Sequence, residues 1–161
     1  MSPWGKVQKV YVHHMREYDD KSVKLIDNEL TAEEYIELSA AVEFYKPSLG
    51  QTKKALENSL LTVKAVCDGK VVGMGRLIGD GAMYWFIQEV CILPEYQGLG
   101  IGKGIVNRMI TFVEQSCVSG ERVTIQLMAA KGKEEFYKKL GFVSRPNEYS
   151  GAGMQKRFVI K

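Results

Sequence analysis

Apolar and polar positions change period several times along the chain. Residues 7–12 place Val7, Val10 and Val12 in an imperfect alternation that predicts a first strand. From Thr31 the period becomes helical. Tyr35, Leu38, Val42 and Tyr45 fall on one stripe, and Thr31 with Glu34 has the spacing of a capping box. Pro47 and Gly50 are expected to stop this helix, with a shorter one over residues 51–59. Residues 61–67 and 70–77 read as two strands around Asp68-Gly69, a hairpin signal because glycine accepts positive φ. Gly79-Asp80-Gly81 marks another turn, and residues 83–93 a third long strand.

Helical spacing returns over residues 102–116, where Ile105, Val106, Met109, Ile110 and Val113 form one stripe, and Gly120 ends the connection. Residues 122–128 alternate through Val123, Ile125 and Leu127 as a strand. Residues 134–140 predict a short helix capped by Gly141, and residues 142–145 and 155–160 read as final strands. No repeat or linker interrupts this order, so one domain over residues 1–161 is expected. Its class is α/β of the α+β type, with a mixed, mostly antiparallel central sheet flanked by helices.

Composition narrows the class of function. At 161 residues, 45% hydrophobic and 25% charged, the chain is neither disordered nor a disulfide scaffold. No apolar run approaches the ~18 residues of a membrane helix, so no membrane partner is expected. The net charge of +3 is scattered without a Lys/Arg block, which argues against nucleic acid and mildly favours an anionic ligand. Cys67, Cys91 and Cys117 form no CxxC pair and read as reduced thiols. The start, MSPWGKVQKVYVHH, lacks the apolar run of a signal peptide, so a cytoplasmic location is expected. The only histidines, His13 and His14, are adjacent and would point to opposite faces of a strand, so no metal site is expected.

The segment from Gln88 to Gly104 runs from a strand through a glycine-rich turn into an amphipathic helix. Helix starts present unpaired N–H groups and a positive dipole end, and glycines let main-chain amides approach a ligand. With Lys103 beside it, the turn reads as a phosphate cradle. A Walker A loop fails, because Gln97 stands in place of its first glycine and Gly104 in place of its hydroxyl. A dinucleotide fingerprint fails as well, because its third glycine falls on Lys103 or Ile105.

The pattern that fits is Gln97-x-x-Gly100-x-Gly102, followed downstream by Phe136-Tyr137-Lys138-Lys139-Leu140-Gly141-Phe142. In both motifs, and in the order of elements, the sequence resembles the GNAT superfamily of N-acetyltransferases. The chain departs from that pattern where many members carry Asn and Ala before the tyrosine; Ala130 and Lys133 stand there. The segment 128–135, Arg145-Pro146 and Gly151-x-Gly153-Met154 resemble a subgroup of bacterial acetyltransferases without an assigned acceptor.

The resemblance implies acetyl-CoA as cosubstrate, no metal, and direct acetyl transfer to a primary amine in a ternary complex. It implies that Val90, Cys91 and Ile92 offer main-chain contacts to the pantetheine and acetyl end. Gln97, Gly98, Leu99, Gly100, Ile101, Gly102 and Lys103 would hold the pyrophosphate. Tyr137 would be the acid for the leaving thiolate, and Glu89 the base, directly or through a water. Cys91 as a nucleophile is disfavoured, since such sites transfer directly. The acceptor pocket would draw on Tyr35, Phe44, Tyr45 and residues 46–51, with Tyr84 or Trp85. Tyr35 shares the helical stripe with Leu38 and Val42, and its favoured reading is core; Phe44 and Tyr45 stay open. The implied partner is a small-molecule amine. A protein lysine or N-terminus, or a non-catalytic acyl-CoA sensor, are the alternatives, and a homodimer is a common assembly for such enzymes.

Overall fold

The computed structural model describes residues 22–160 and the backbone of the strand Val10–His13. Of the predicted first strand, residues 10–12 fall in this strand, β1; residues 7–9, and His14, lie outside the described residues. The chain forms two compact units, Met1–Leu127 and Met128–Lys161.

The first unit is built on a six-stranded sheet in sequential order: β1, β2 (Val23–Asp27), β3 (Leu61–Cys67), β4 (Lys70–Gly79), β5 (Tyr84–Ile92) and β6 (Thr124–Leu127). All neighbours are antiparallel except β5 and β6, which run parallel. A mixed, mostly antiparallel sheet is what the pattern predicts. The β3–β4 hairpin turns on Asp68 (φ 49°) and Gly69 (φ 78°), the paired positive φ that matches strand twist in a two-residue loop.

The helix α1 (Ala32–Ala41) starts under Thr31, whose hydroxyl accepts from the Glu34 N–H while the Glu34 carboxylate accepts from the Thr31 N–H. Its stripe ends earlier than expected. Val42 is the C-cap, Glu43 turns to φ 59°, and Tyr45 stands outside the helix, 80% exposed. Gly50 does not stop a helix either. It lies in the first turn of α2 (Leu49–Glu57), where Ser48 caps the start by accepting from the Gln51 N–H.

The helix α3 (Ile101–Ser116) packs against β2, β3, β4 and β5 through Ile105, Val106, Met109 and Val113, none more than 1% exposed. Two glycines on β4 make room for it. A Cβ on Gly75 would lie 2.7 Å from both Ile105 Cγ2 and Met109 Cε. One on Gly73 would lie 2.5 Å from Ile92 Cδ1 and 3.1 Å from the Cys91 carbonyl. Strand β2, which the pattern did not predict, is tied to α3 by a buried ion pair between Asp27 and Arg108.

The second unit contains α4 (Glu134–Lys138), followed by Gly141 at φ 90°. Residues 142–145 and 155–160 are not strands. Phe158, Val159 and Ile160 are 72%, 89% and 80% exposed, so β-favouring residues here lack the cross-strand partners that make a strand stable.

Candidate functional site

The site begins with a fault in the register of β4 and β5. Met74 pairs with Cys91 and Arg76 with Gln88, so Gly75 alone opposes both Glu89 and Val90. This is a β-bulge on β5, and Glu89 adopts φ 49° to form it. A left-handed backbone costs a non-glycine residue about 1–2 kcal/mol, and persists only where its surroundings fix it.

The bulge changes which face each side chain takes. Before it, Trp85 and Ile87 point toward α3; the Trp85 ring meets Phe112 edge-on at 6.3 Å. After it, Val90 and Ile92 again lie on that face, close to the Gly75 and Gly73 positions. The α3 face is therefore held by residues 85, 87, 90 and 92. A regular strand would have turned Glu89 into α3. The extra residue turns it to the other face, toward α1 and α2.

There Arg76 takes both carboxylate oxygens: Nε donates to Glu89 Oε2 at 2.7 Å and Nη2 to Oε1 at 3.1 Å. The same guanidinium reaches α2 and its exit, with Nη1 at 3.3 Å from the Ala55 carbonyl and 3.4 Å from Ser59 Oγ. Tyr35 of α1 completes the group. Burial pushes its phenol up to about 12, and the adjacent Glu89 charge adds to the rise while Arg76 opposes it. Cys91 follows on the same face. Burial raises its thiol to about 12, so at neutral pH it is a thiol, not a thiolate nucleophile.

The second feature is an open strand edge. Strand β5 pairs with β6 only from Tyr84 to Ile87. Residues 88–92, which include Glu89, Val90, Cys91 and Ile92, continue with β4 on one side and no strand on the other among the described residues. The Leu93 N–H donates to Val72 on the β4 side at 2.9 Å. By the alternation of a strand, the main-chain groups of Ile92 then face the open side. The Ile92 carbonyl is taken by Gln97 Nε2 at 3.0 Å. Gln97 thus fastens the strand's end with its side chain, and its own N–H donates to Pro94.

The third feature continues from the second. A 3-10 turn, Pro94–Tyr96, is secured by Lys70, which pairs with Glu95 at 3.1 Å and lies 5.5 Å from the centre of the Tyr96 ring. Gly98 (φ 77°) and Gly100 (φ 80°) then bend the chain into α3, and a Cβ on either would touch nothing within 4 Å. These glycines are required by backbone angle, and the space above them stays open. Gly100 is the N-cap and offers no side chain to the helix start. The helical ladder begins with the Gly104 N–H on the Gly100 carbonyl, leaving the N–H groups of Ile101, Gly102 and Lys103 outside it. Gly98, Leu99 and Lys103 are exposed. An uncapped start of a 16-residue helix beside an unpaired strand edge fits a ligand with a phosphate group and a chain able to hydrogen-bond along a strand.

In the second unit Tyr137 is half-buried, with Phe136 and Phe142 edge-on at 4.9 Å and 5.9 Å. Burial raises its phenol above the usual value, so it remains protonated at neutral pH.

Of the predicted site residues, the structure brings residues 89–92 and 97–103 into one continuous path through strand edge, turn and helix start. Sequence reasoning missed Arg76 and missed the polar role of Tyr35. The available signal was the step from 87 to 90 in the apolar series 85, 87, 90, 92, which breaks strand alternation at Glu89.

Residues 59–144 match the family model described as an acetyltransferase (GNAT) domain. The ycf52 protein of the red alga Pyropia yezoensis, named an uncharacterized N-acetyltransferase, is 34% identical over 119 residues, covering 71% of this chain and 66% of its own. The chain thus spans just under two thirds of that relative's length. Among solved structures, the Staphylococcus aureus protein SA2161, described as a probable acetyltransferase, is 29% identical with a TM-score of 0.74. That match covers 84% of this chain and 99% of the other. The GNAT family acetyltransferase SP0256 of Streptococcus pneumoniae is 26% identical with a TM-score of 0.71, over 84% and 98% of the two chains. With the family model spanning more than half of its residues, the chain belongs to the GNAT acetyltransferase family.

Proposed function

We propose that this protein transfers the acetyl group of acetyl-CoA to the primary amine of a small molecule, directly and within a ternary complex. The observation that carries this reading is the continuity of the open β5 edge, residues 88–92, with the uncapped start of α3. Main-chain groups of Val90 and the Ile92 N–H, which alternation turns to the open side, would hold the pantetheine arm along the strand, while those of Cys91 turn to β4. The N–H groups from Gly98 to Lys103 would hold the pyrophosphate, with Lys103 adding charge. Gln97 supports this cradle through its bond to Ile92. Bound acetyl-CoA would supply a thioester, whose C–S bond breaks as the C–N bond to the amine forms.

The chain's residues then handle protons. An amine near pKa ~10.4 arrives protonated and must lose a proton before it can attack. Glu89, on the face toward α1 and α2, takes that proton directly or through a water. Tyr137 gives a proton to the departing sulfur and regains one from the acylated nitrogen, so one proton is released per turnover. Its assignment rests on the motif it occupies and on a phenol held protonated by burial.

A protein lysine or N-terminus is the second reading. It draws on a groove of about 670 Å³ lined by Glu34, Glu37, Glu95 and Lys70 with Leu38, Val71 and Pro94. Two of those carboxylates are already paired, Glu34 with Lys64 and Glu95 with Lys70, so the groove attracts a cationic segment only weakly. The small amine stays first.

Calorimetry with acetyl-CoA, followed by a CoA-release screen across amines, tests the proposal. Binding heat and turnover on at least one small amine are expected. A folded protein that gives no heat with acetyl-CoA overturns the reading. Heat with no turnover on any amine points to a non-catalytic acyl-CoA sensor.

A further inference from the structure

Arg76 lies outside both the glycine-loop and the tyrosine motifs, yet it is the centre of the polar group on the sheet face toward α1 and α2. Its register partner is Gln88, but its guanidinium turns to Glu89 and holds both oxygens at 2.7 and 3.1 Å. Its Nη1 spans to the Ala55 carbonyl and Ser59 Oγ at the end of α2. The pair is largely shielded, with the Arg76 side chain 14% exposed and that of Glu89 24%. A planar fork can make two parallel bonds to a carboxylate and still present a third side elsewhere; an ammonium cannot.

We propose that Arg76 is a positioning residue for acyl transfer, which fixes the Glu89 carboxylate at the bulge and ties it to the end of α2. This rests on the proposed reading of Glu89 as the group that takes the acceptor's proton. One observation and one requirement of the chemistry support such a clamp. Glu89 sits at φ 49°, a conformation that surroundings must impose. An unclamped glutamate side chain samples several rotamers, whereas proton transfer needs a heavy-atom approach of about 2.6–3.2 Å. Nε, Nη1 and Nη2 of Arg76 are all engaged within the protein, so its influence on the acceptor passes through Glu89 rather than through its own contact with substrate.

A double-mutant cycle reads this directly, using the best amine found by the CoA-release screen. Glu89→Gln is expected to lower kcat by about 10²–10⁴-fold, the usual range for a proton-transfer group. Arg76→Gln is expected to lower kcat by about 10-fold or more, with the calorimetric Kd for acetyl-CoA within about twofold of wild type. Arg76→Lys recovers part of the loss. In the Glu89→Gln background, Arg76→Gln costs nothing further. Independent, multiplying losses overturn the positioning role, as does an Arg76→Gln variant with wild-type kcat. If Glu89→Gln itself keeps full kcat, the base reading fails instead, which separates the two.

A second measurement needs no acceptor and uses Arg76→Lys, which keeps the charge and favours folding. In protein with 13C-labelled glutamate carboxylates, the Glu89 signal, assigned by its loss in Glu89→Gln, is expected to shift in Arg76→Lys. An unmoved signal overturns the clamp.

Discussion

Arg76 stands opposite Gln88 in the ladder between β4 and β5, but the carboxylate it grips is that of Glu89, one residue on. The mismatch is possible only because the bulge turns two successive residues of β5 to the same face. One inserted residue therefore does two things. It keeps Val90 and Ile92 in the apolar layer against α3, and it frees a carboxylate for the opposite face, where it meets Tyr35 and Arg76, whose guanidinium reaches the end of α2.

Tyr35 reports on this arrangement. Its phenol lies at about 12 through burial first and the Glu89 charge second. Glu89→Gln removes that charge, so the Tyr35 titration is expected to move to lower pH. Difference absorbance near the tyrosinate band, against a Tyr35→Phe control, measures it; an unchanged or higher midpoint contradicts the proximity.

Gly100→Ala tests the cradle. With φ at 80° and no atom within 4 Å of an added Cβ, the cost is conformational, about 1–2 kcal/mol of stability. The bend into α3 would relax as well, and acetyl-CoA affinity is expected to fall about tenfold or more, the equivalent of ~1.4 kcal/mol. Thermal melting and calorimetry give the two quantities. Tight binding by a destabilised variant would detach the helix start from the ligand.

Tyr137→Phe keeps the ring contacts with Phe136 and Phe142 and removes only the hydroxyl. kcat is expected to fall by about 10²-fold, at the lower end for general acid catalysis, while acetyl-CoA binding changes less than twofold. Equal turnover in the two proteins would leave Tyr137 a packing residue.

Asp80 links stability to pH. Its Oδ1 accepts from the N–H groups of Tyr84, Ala82 and Met83, which hold the carboxyl below its usual value. A folded value below the unfolded one stabilises the protein above the ordinary aspartate range, and the benefit is lost as pH falls through the folded value. The Tm gap between wild type and Asp80→Asn is thus expected to be widest near neutral pH and to narrow as pH falls below the ordinary aspartate value of about 3.9. A gap that persists at low pH would assign the effect to geometry alone.

Where local rules act alone, the sequence was legible. Strand β3 and the Asp68-Gly69 hairpin follow from alternation and one turn pair, and the Thr31–Glu34 cap follows from spacing. Strand β2 was hidden because its third inward position is Asp27, a charge that reads as surface until Arg108 of α3 is known to meet it. Arg76 and Glu89 were separated by a bulge that leaves only a one-residue slip in the apolar series. The tail misled in the opposite direction, since Phe158, Val159 and Ile160 have strand-forming side chains but no ladder.

Strand β5 parts from β6 after Ile87, and this split has a practical side. A half-finished seam in mid-sheet invites any extended peptide to lie down on it, including a neighbour's backbone in a concentrated stock. Acetyl-CoA, the proposed cosubstrate, would act as the plug. Supplying it at about a hundredfold over Kd would add roughly 2.7 kcal/mol to folding stability and slow amide exchange along residues 88–92. Preparations kept saturated should then stay dispersed longer on storage than stripped ones.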